Sequence, residues 1–106
     1  MPTTSIVPTK LIPIAGSKLV SISGSAEPLS DVSINIRMLY VRAKTTNTNN
    51  IYFGTSTVNK LTAPQIILTA GQDVSIDLAQ SDYCIDPSNF YIDSEIAGEG
   101  VDFLYV

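Results

Sequence analysis

The sequence predicts an all-β domain, an antiparallel β-sandwich of the jelly-roll or immunoglobulin-like kind, carrying an extended N-terminal arm. Three observations predict it. Apolar residues recur with period two from Lys18 onward, the signature of half-buried strands. Short apolar runs are punctuated by Gly, Pro, Asn and Asp turns, as in small sandwiches and barrels. No stretch sustains the 3.6-residue period and capping pattern of a helix. With 106 residues the chain is sized for one domain.

Residues 1–16 read as the arm, and 17–106 as the single sandwich domain. Pro2, Pro8 and Pro13 block regular pairing and favour extended backbone. Ile6, Val7, Leu11, Ile12 and Ile14 are apolar, so the arm is expected along its own domain as an edge strand or along a neighbour. Leu19 to Ser23 reads as a strand closed by Gly24. Ala26 to Asp31 reads as a turn built on Pro28 and Asp31. Val32, Ile34 and Ile36 alternate with polar residues, then Leu39, Val41 and Ala43 do the same. That run is too long for one strand, and a bulge or kink near Arg37 and Met38 would divide it.

Thr45 to Asn50 is a polar loop, because Asn tolerates left-handed backbone. Ile51 to Gly54 is the next strand, residues 55–64 are a connection, and Ile66 to Thr69 is a strand. Ala70-Gly71-Gln72-Asp73 reads as a hairpin turn into Val74, Ile76 and Leu78. Residues 79–89, with Pro87, form an irregular crossing. Phe90 to Asp93 is a strand, Ala97 to Gly100 a turn, and Val101 to Val106 the last strand. On that strand Val101, Phe103 and Tyr105 share one face, Leu104 and Val106 the other. Both faces call for cover, one from the core and the second from another subunit.

Composition narrows function. Charged residues make up 15% of the chain and the net charge is −4; globular domains average about 25% charged. The surface is therefore expected to be covered by Ser, Thr and Asn or by neighbours. The cations Lys10, Lys18, Arg37, Arg42, Lys44 and Lys60 are scattered, so nucleic acid is not expected as a partner. No segment approaches the length of a membrane span, and prolines interrupt the N-terminus where a signal peptide would need an apolar run. A soluble chain is expected.

The chain lacks histidine, which removes the Ser-His and Cys-His devices. No catalytic, cofactor-binding or metal-binding residue is assigned, and no cofactor is expected. Gly98 and Gly100 form a G-x-G, but between strands, where no phosphate-cradling helix follows. Cys84 is alone and is expected as a small buried apolar residue. Asp82, Asp86, Asp93, Glu95, Glu99 and Asp102 are expected as solvated loop acids, with calcium as the competing reading. Tyr40, Tyr52, Tyr83, Tyr91 and Tyr105 fit either an interface or ordinary cover of a sheet.

The order of segments resembles small virion proteins encoded in structural gene clusters of tailed bacteriophages. The resemblance runs from Ser21-Ile22-Ser23-Gly24-Ser25-Ala26-Glu27-Pro28-Leu29 through Val41-Arg42-Ala43-Lys44 and Asn47 to Asn50. It continues in Ile51-Tyr52-Phe53-Gly54, Ile67-Leu68-Thr69-Ala70-Gly71-Gln72 and Val74-Ser75-Ile76-Asp77-Leu78. It ends in Phe90-Tyr91-Ile92-Asp93 and Gly98-Glu99-Gly100-Val101-Asp102-Phe103-Leu104-Tyr105. The resemblance implies a capsid decoration or cement protein: a homotrimer on the capsid surface, made in the host cytoplasm, whose partner is the major capsid protein. A tail, baseplate or head-fibre component is the alternative. A carbohydrate-binding module is a further one, disfavoured by the lack of Trp. An enzyme is not expected.

Overall fold

The computed structural model describes residues 12–106, so most of the expected arm lies outside the described residues. Among the described residues eight strands form two four-stranded antiparallel sheets: β1 (Ile14–Leu19), β2 (Glu27–Pro28), β3 (Met38–Ala43), β4 (Ile51–Gly54), β5 (Ile66–Leu68), β6 (Asp73–Asp77), β7 (Tyr91–Ser94) and β8 (Gly100–Tyr105). The first sheet has the order β1-β8-β3-β6 and the second β2-β7-β4-β5. Strand one pairs with eight, two with seven, three with six and four with five. The chain is thus a nested set of antiparallel pairs, wrapped so that alternate pairs fall in alternate sheets.

The period-two pattern explains the layers. On β3, Leu39, Val41 and Ala43 are buried while Met38, Tyr40 and Arg42 are half-exposed. Across the core lie Ile51 and Phe53 of β4, Ile92 of β7 and Leu68 of β5, joined by Val20, Leu29, Ile36, Val101 and Tyr105. Removing one such aliphatic side chain from water is worth roughly 1.5–3 kcal/mol. Phe53 stacks on Phe90 with centroids 5.5 Å apart, extending the core toward the short 3-10 helix Pro87–Asn89. Asp86 caps that helix, accepting from the Ser88 N–H at 2.9 Å.

Several expectations are corrected by this wrapping. The 70–73 turn is not a hairpin, because β5 and β6 belong to different sheets. Gly71 does take positive φ, 81°, but the turn it makes is a corner between the sheets. A strand over Leu19 to Ser23 is not formed. β1 starts at Ile14, inside the expected arm, and runs as an edge strand on β8. Residues Val32 and Ile34 alternate in sequence yet lie exposed in irregular backbone, and only Ile36 makes a bridge, to Ile85. The expected division near Arg37 and Met38 falls where β3 begins.

Candidate functional site

Sheet two carries Tyr52 and Asp93 on its outward face, where a period-two reading would place solvated residues. Both are buried, and Asp93 is 0% exposed. The loop 55–63 and the turn 21–25 fold over them, with Val58 buried beneath. Asp93 holds this cover down. Its Oδ1 accepts from the Gly24 and Ser94 N–H groups and its Oδ2 from the Lys60 N–H, each at 2.8 Å. Beside it, the Lys60 ammonium donates to Ser23 Oγ at 2.8 Å and to the Glu95 carbonyl at 3.3 Å. The Ser23 hydroxyl donates to the Ser94 and Glu95 carbonyls, and the Tyr52 hydroxyl donates to the Glu95 carboxylate. The hydrogen bond to that carboxylate holds the Tyr52 pKa above its usual value.

A serine within hydrogen-bond reach of a lysine is the geometry of a nucleophile and its base. Here both side chains are also engaged with backbone, Lys60 Nζ with the Glu95 carbonyl and Ser23 Oγ with the Ser94 and Glu95 carbonyls. The pair therefore acts as a clamp between the 21–25 turn, the 55–63 loop and the end of β7. Sequence reading missed it, since Ser23 and Lys60 are 37 positions apart.

Exposed aliphatic residues flank the clamp along the chain. Ile22, Leu61 and Ile96 follow or precede Ser23, Lys60 and Glu95 in the chain, and they are 66%, 80% and 46% exposed. Three hydrogen-bonded residues thus each have a bare aliphatic neighbour in the chain. Leu61 falls in the connection expected over residues 55–64, and Ile22 in the strand expected over Leu19 to Ser23.

The outer face of sheet one is the second surface. Asp102 and Leu104 of β8 stand beside Tyr40 and Arg42 of β3, as the alternation predicts. They line a shallow hollow of ≈ 260 Å³ with Phe103. A neighbouring hollow of ≈ 310 Å³ is lined by Arg37, Met38, Ala79 and Val106. The Asp102 carboxylate meets Lys44 Nζ at 2.6 Å and Arg42 Nη2 at 3.6 Å. Lys44 first, then Arg42, holds the Asp102 carboxyl below its usual pKa. Tyr40 donates to Asp73 at 2.9 Å.

At the opposite end, Asn35, Cys84, Ile85, Asp86, Asn89 and Phe90 line an open cleft of ≈ 450 Å³. Cys84 is exposed there, which corrects the expectation of a buried thiol. The bridge between Ile36 and Ile85 turns Ile85 toward the core, so the adjacent Cys84 faces out. Reactive thiolates sit in electropositive surroundings; the ionised neighbour here is the Asp86 carboxylate. Ser33 and Ser88 donate to that carboxylate and bring its pKa down to about 2.

Asp82 is exposed as expected of a loop acid, but others of that set are corrected. Glu99 is buried and ties the Asn loop to the β7–β8 turn. It accepts from the Thr48 N–H at 2.6 Å and the Asn49 N–H at 3.0 Å, which lowers its pKa. Asp93, Glu99, Asp86 and Asp102 each face protein donors or cations. Among the described residues, no group of three or more His, Cys, Asp or Glu is placed to share a metal ion. The tyrosines divide: Tyr52 and Tyr105 are buried, Tyr40 and Tyr91 half-buried, and Tyr83 exposed.

No helix among the described residues is long and apolar enough to cross a membrane. No protein-family model, curated protein or solved structure matches this chain.

Proposed function

We propose that this protein is a structural component of a tailed-bacteriophage virion, a decoration or cement protein that packs against the major capsid shell. The observation that carries the reading is the strand order. The two sheets, β1-β8-β3-β6 and β2-β7-β4-β5, follow the order we read as an eight-stranded jelly roll, an architecture shared by viral capsid, lectin and cupin domains. Fold alone does not give function, so the surface and the sequence resemblance must agree with it. They do: the chain carries few charges and exposes aliphatic side chains on rigid strand ends and clamped loops. Many small apolar contacts, repeated by particle symmetry, are what a shell-stabilising protein needs.

In this reading the exposed Ile22, Leu61 and Ile96 meet the shell, and the N-terminal arm, residues 1–16, supplies further contacts. The homotrimer implied by the resemblance belongs to the same proposal. A tail, baseplate or head-fibre position uses the same surfaces and differs only in location. The tagged chain, expressed in cells producing tailed-phage particles, is expected to band with the particles in a density gradient. Leu61→Asp should reduce its occupancy without loss of fold. A chain that stays entirely in the soluble fractions would overturn the proposal, and labelling on tails rather than heads would select the alternative.

A further inference from the structure

β1 is an edge strand whose far side pairs with no described strand. The hydrogen-bonding parity of that edge follows from the register. Val20 N donates to the Glu99 carbonyl at 2.9 Å, continuing the ladder in which Leu19 lies opposite Gly100. Alternate residues of an antiparallel strand turn their N–H and C=O to the same side. Ile14, Gly16, Lys18 and Val20 therefore bond to β8 and its turn, while Ala15, Ser17 and Leu19 point their backbone groups outward.

Natural edges are blunted by charge, proline, bulges or brevity. β6 carries Asp73 and Asp77, β2 is two residues long and β5 three. β1 has six residues, its proline stands before the strand, and its one charge, Lys18, turns inward to Glu27 at 3.1 Å. Exposed Ile12, Ile14 and Leu19 gather along it.

We propose that β1 is a seam for a second copy of this chain, joined antiparallel about a two-fold axis at Ser17. This does not rest on the virion reading, and its two-fold dimer stands against the homotrimer that the resemblance implies. The strand is complementary to itself in that register. Ser17 lies opposite the partner's Ser17, and Ala15 opposite the partner's Leu19, so the outward-pointing residues of both copies meet in phase. The three outward N–H groups and three outward carbonyls of each edge all find partners. On the outer face the small Ala15 meets the large Leu19. On the inner face Lys18 comes opposite the partner's Gly16, so like charges are not opposed across the seam. The two first sheets become one eight-stranded sheet, with the exposed Ile14 and Leu19 side chains covered at the join. A two-fold seam of this kind is isologous and closes on itself.

The test is the mass of the full chain by light scattering behind a sizing column, over a concentration series. The expected result is a dimer, twice the 11.4 kDa chain mass. Ser17→Pro removes an N–H that bonds only across the seam, and proline is tolerated on such an edge; it should return the protein to monomer. Ser17→Lys keeps the N–H and sets two ammonium groups face to face on the axis, and it should do the same at low salt. Circular dichroism and thermal unfolding identify folded variants, and Ser17→Lys carries the test where Ser17→Pro does not fold. Ile67→Lys, on the β5 edge of the other sheet, should leave the dimer intact. A wild-type monomer at every concentration, a trimer, or a dimer that survives the Ser17 substitutions would overturn the proposal. So would a dimer lost with Ile67→Lys instead.

Discussion

Asp93→Ala should be among the most damaging substitutions in this protein, although its side chain lies on the outward face of a strand. The carboxylate accepts from the N–H groups of Gly24, Lys60 and Ser94, each at 2.8 Å. Truncation leaves three backbone donors without a partner. An orphaned buried donor costs about 1–3 kcal/mol. Gly24 is exposed and Lys60 half-buried, so water recovers part of that for two of them, and a total of about 2–4 kcal/mol is expected. Domains of this size hold roughly 5–15 kcal/mol, and about 1 kcal/mol moves the midpoint by roughly 4–8 °C. A fall on the order of 10–25 °C in the thermal midpoint is therefore expected. Asp93→Asn keeps the oxygen that serves Gly24 and Ser94 but turns an NH2 toward the Lys60 N–H, so it should lie between wild type and Asp93→Ala. Urea unfolding followed by circular dichroism measures both. An Asp93→Ala variant within about 0.5 kcal/mol of wild type, the range of an ordinary surface change, would refute the view that this carboxylate fastens the loops to sheet two.

Four further outcomes follow from the same geometry. Glu99 and Asp86 have folded pKa values below their ordinary 4.5 and 3.8. Their contribution is therefore full above those ordinary values and is lost as pH falls through the folded ones, toward about 2 for Asp86. The urea midpoint should drop across that acid window, and Glu99→Gln should flatten part of the drop. Gly100→Ala would place a methyl 1.9 Å from the Lys18 carbonyl oxygen, forcing β1 off β8. A loss of about 1–3 kcal/mol is expected from such overpacking, measured by thermal unfolding. Cys84 should react with a thiol reagent at one equivalent per folded chain, where a buried thiol would wait for denaturant. Deleting residues 1–16 removes half of β1 and should lower the midpoint in a differential scanning measurement.

The class of the protein and most of its strands are legible in the order of its residues. Alternation on Leu39, Val41 and Ala43 and the compact run Ile51-Tyr52-Phe53 leave little freedom, because the side-chain period of a strand is fixed at two and one face must be dry. The faces of the last strand were legible for the same reason. Alternation failed at Val32 and Ile34, where apolar residues two apart found no strand to pair with, and at Cys84, whose exposure depends on the distant pairing of Ile36 with Ile85.

The tertiary structure alone decided the rest. Turn chemistry at Gly71 specifies a reversal but not whether the next strand stays in its sheet or crosses to the other; the nested wrapping decides that. Asp93 and Glu99 look like loop acids in sequence, and only the backbone donors brought to them from tens of residues away make them structural. Ser23 meets Lys60 because contacts between turns depend on how two sheets pack. Local patterning fixes which residues want to be buried. The closure of long loops fixes which of them meet.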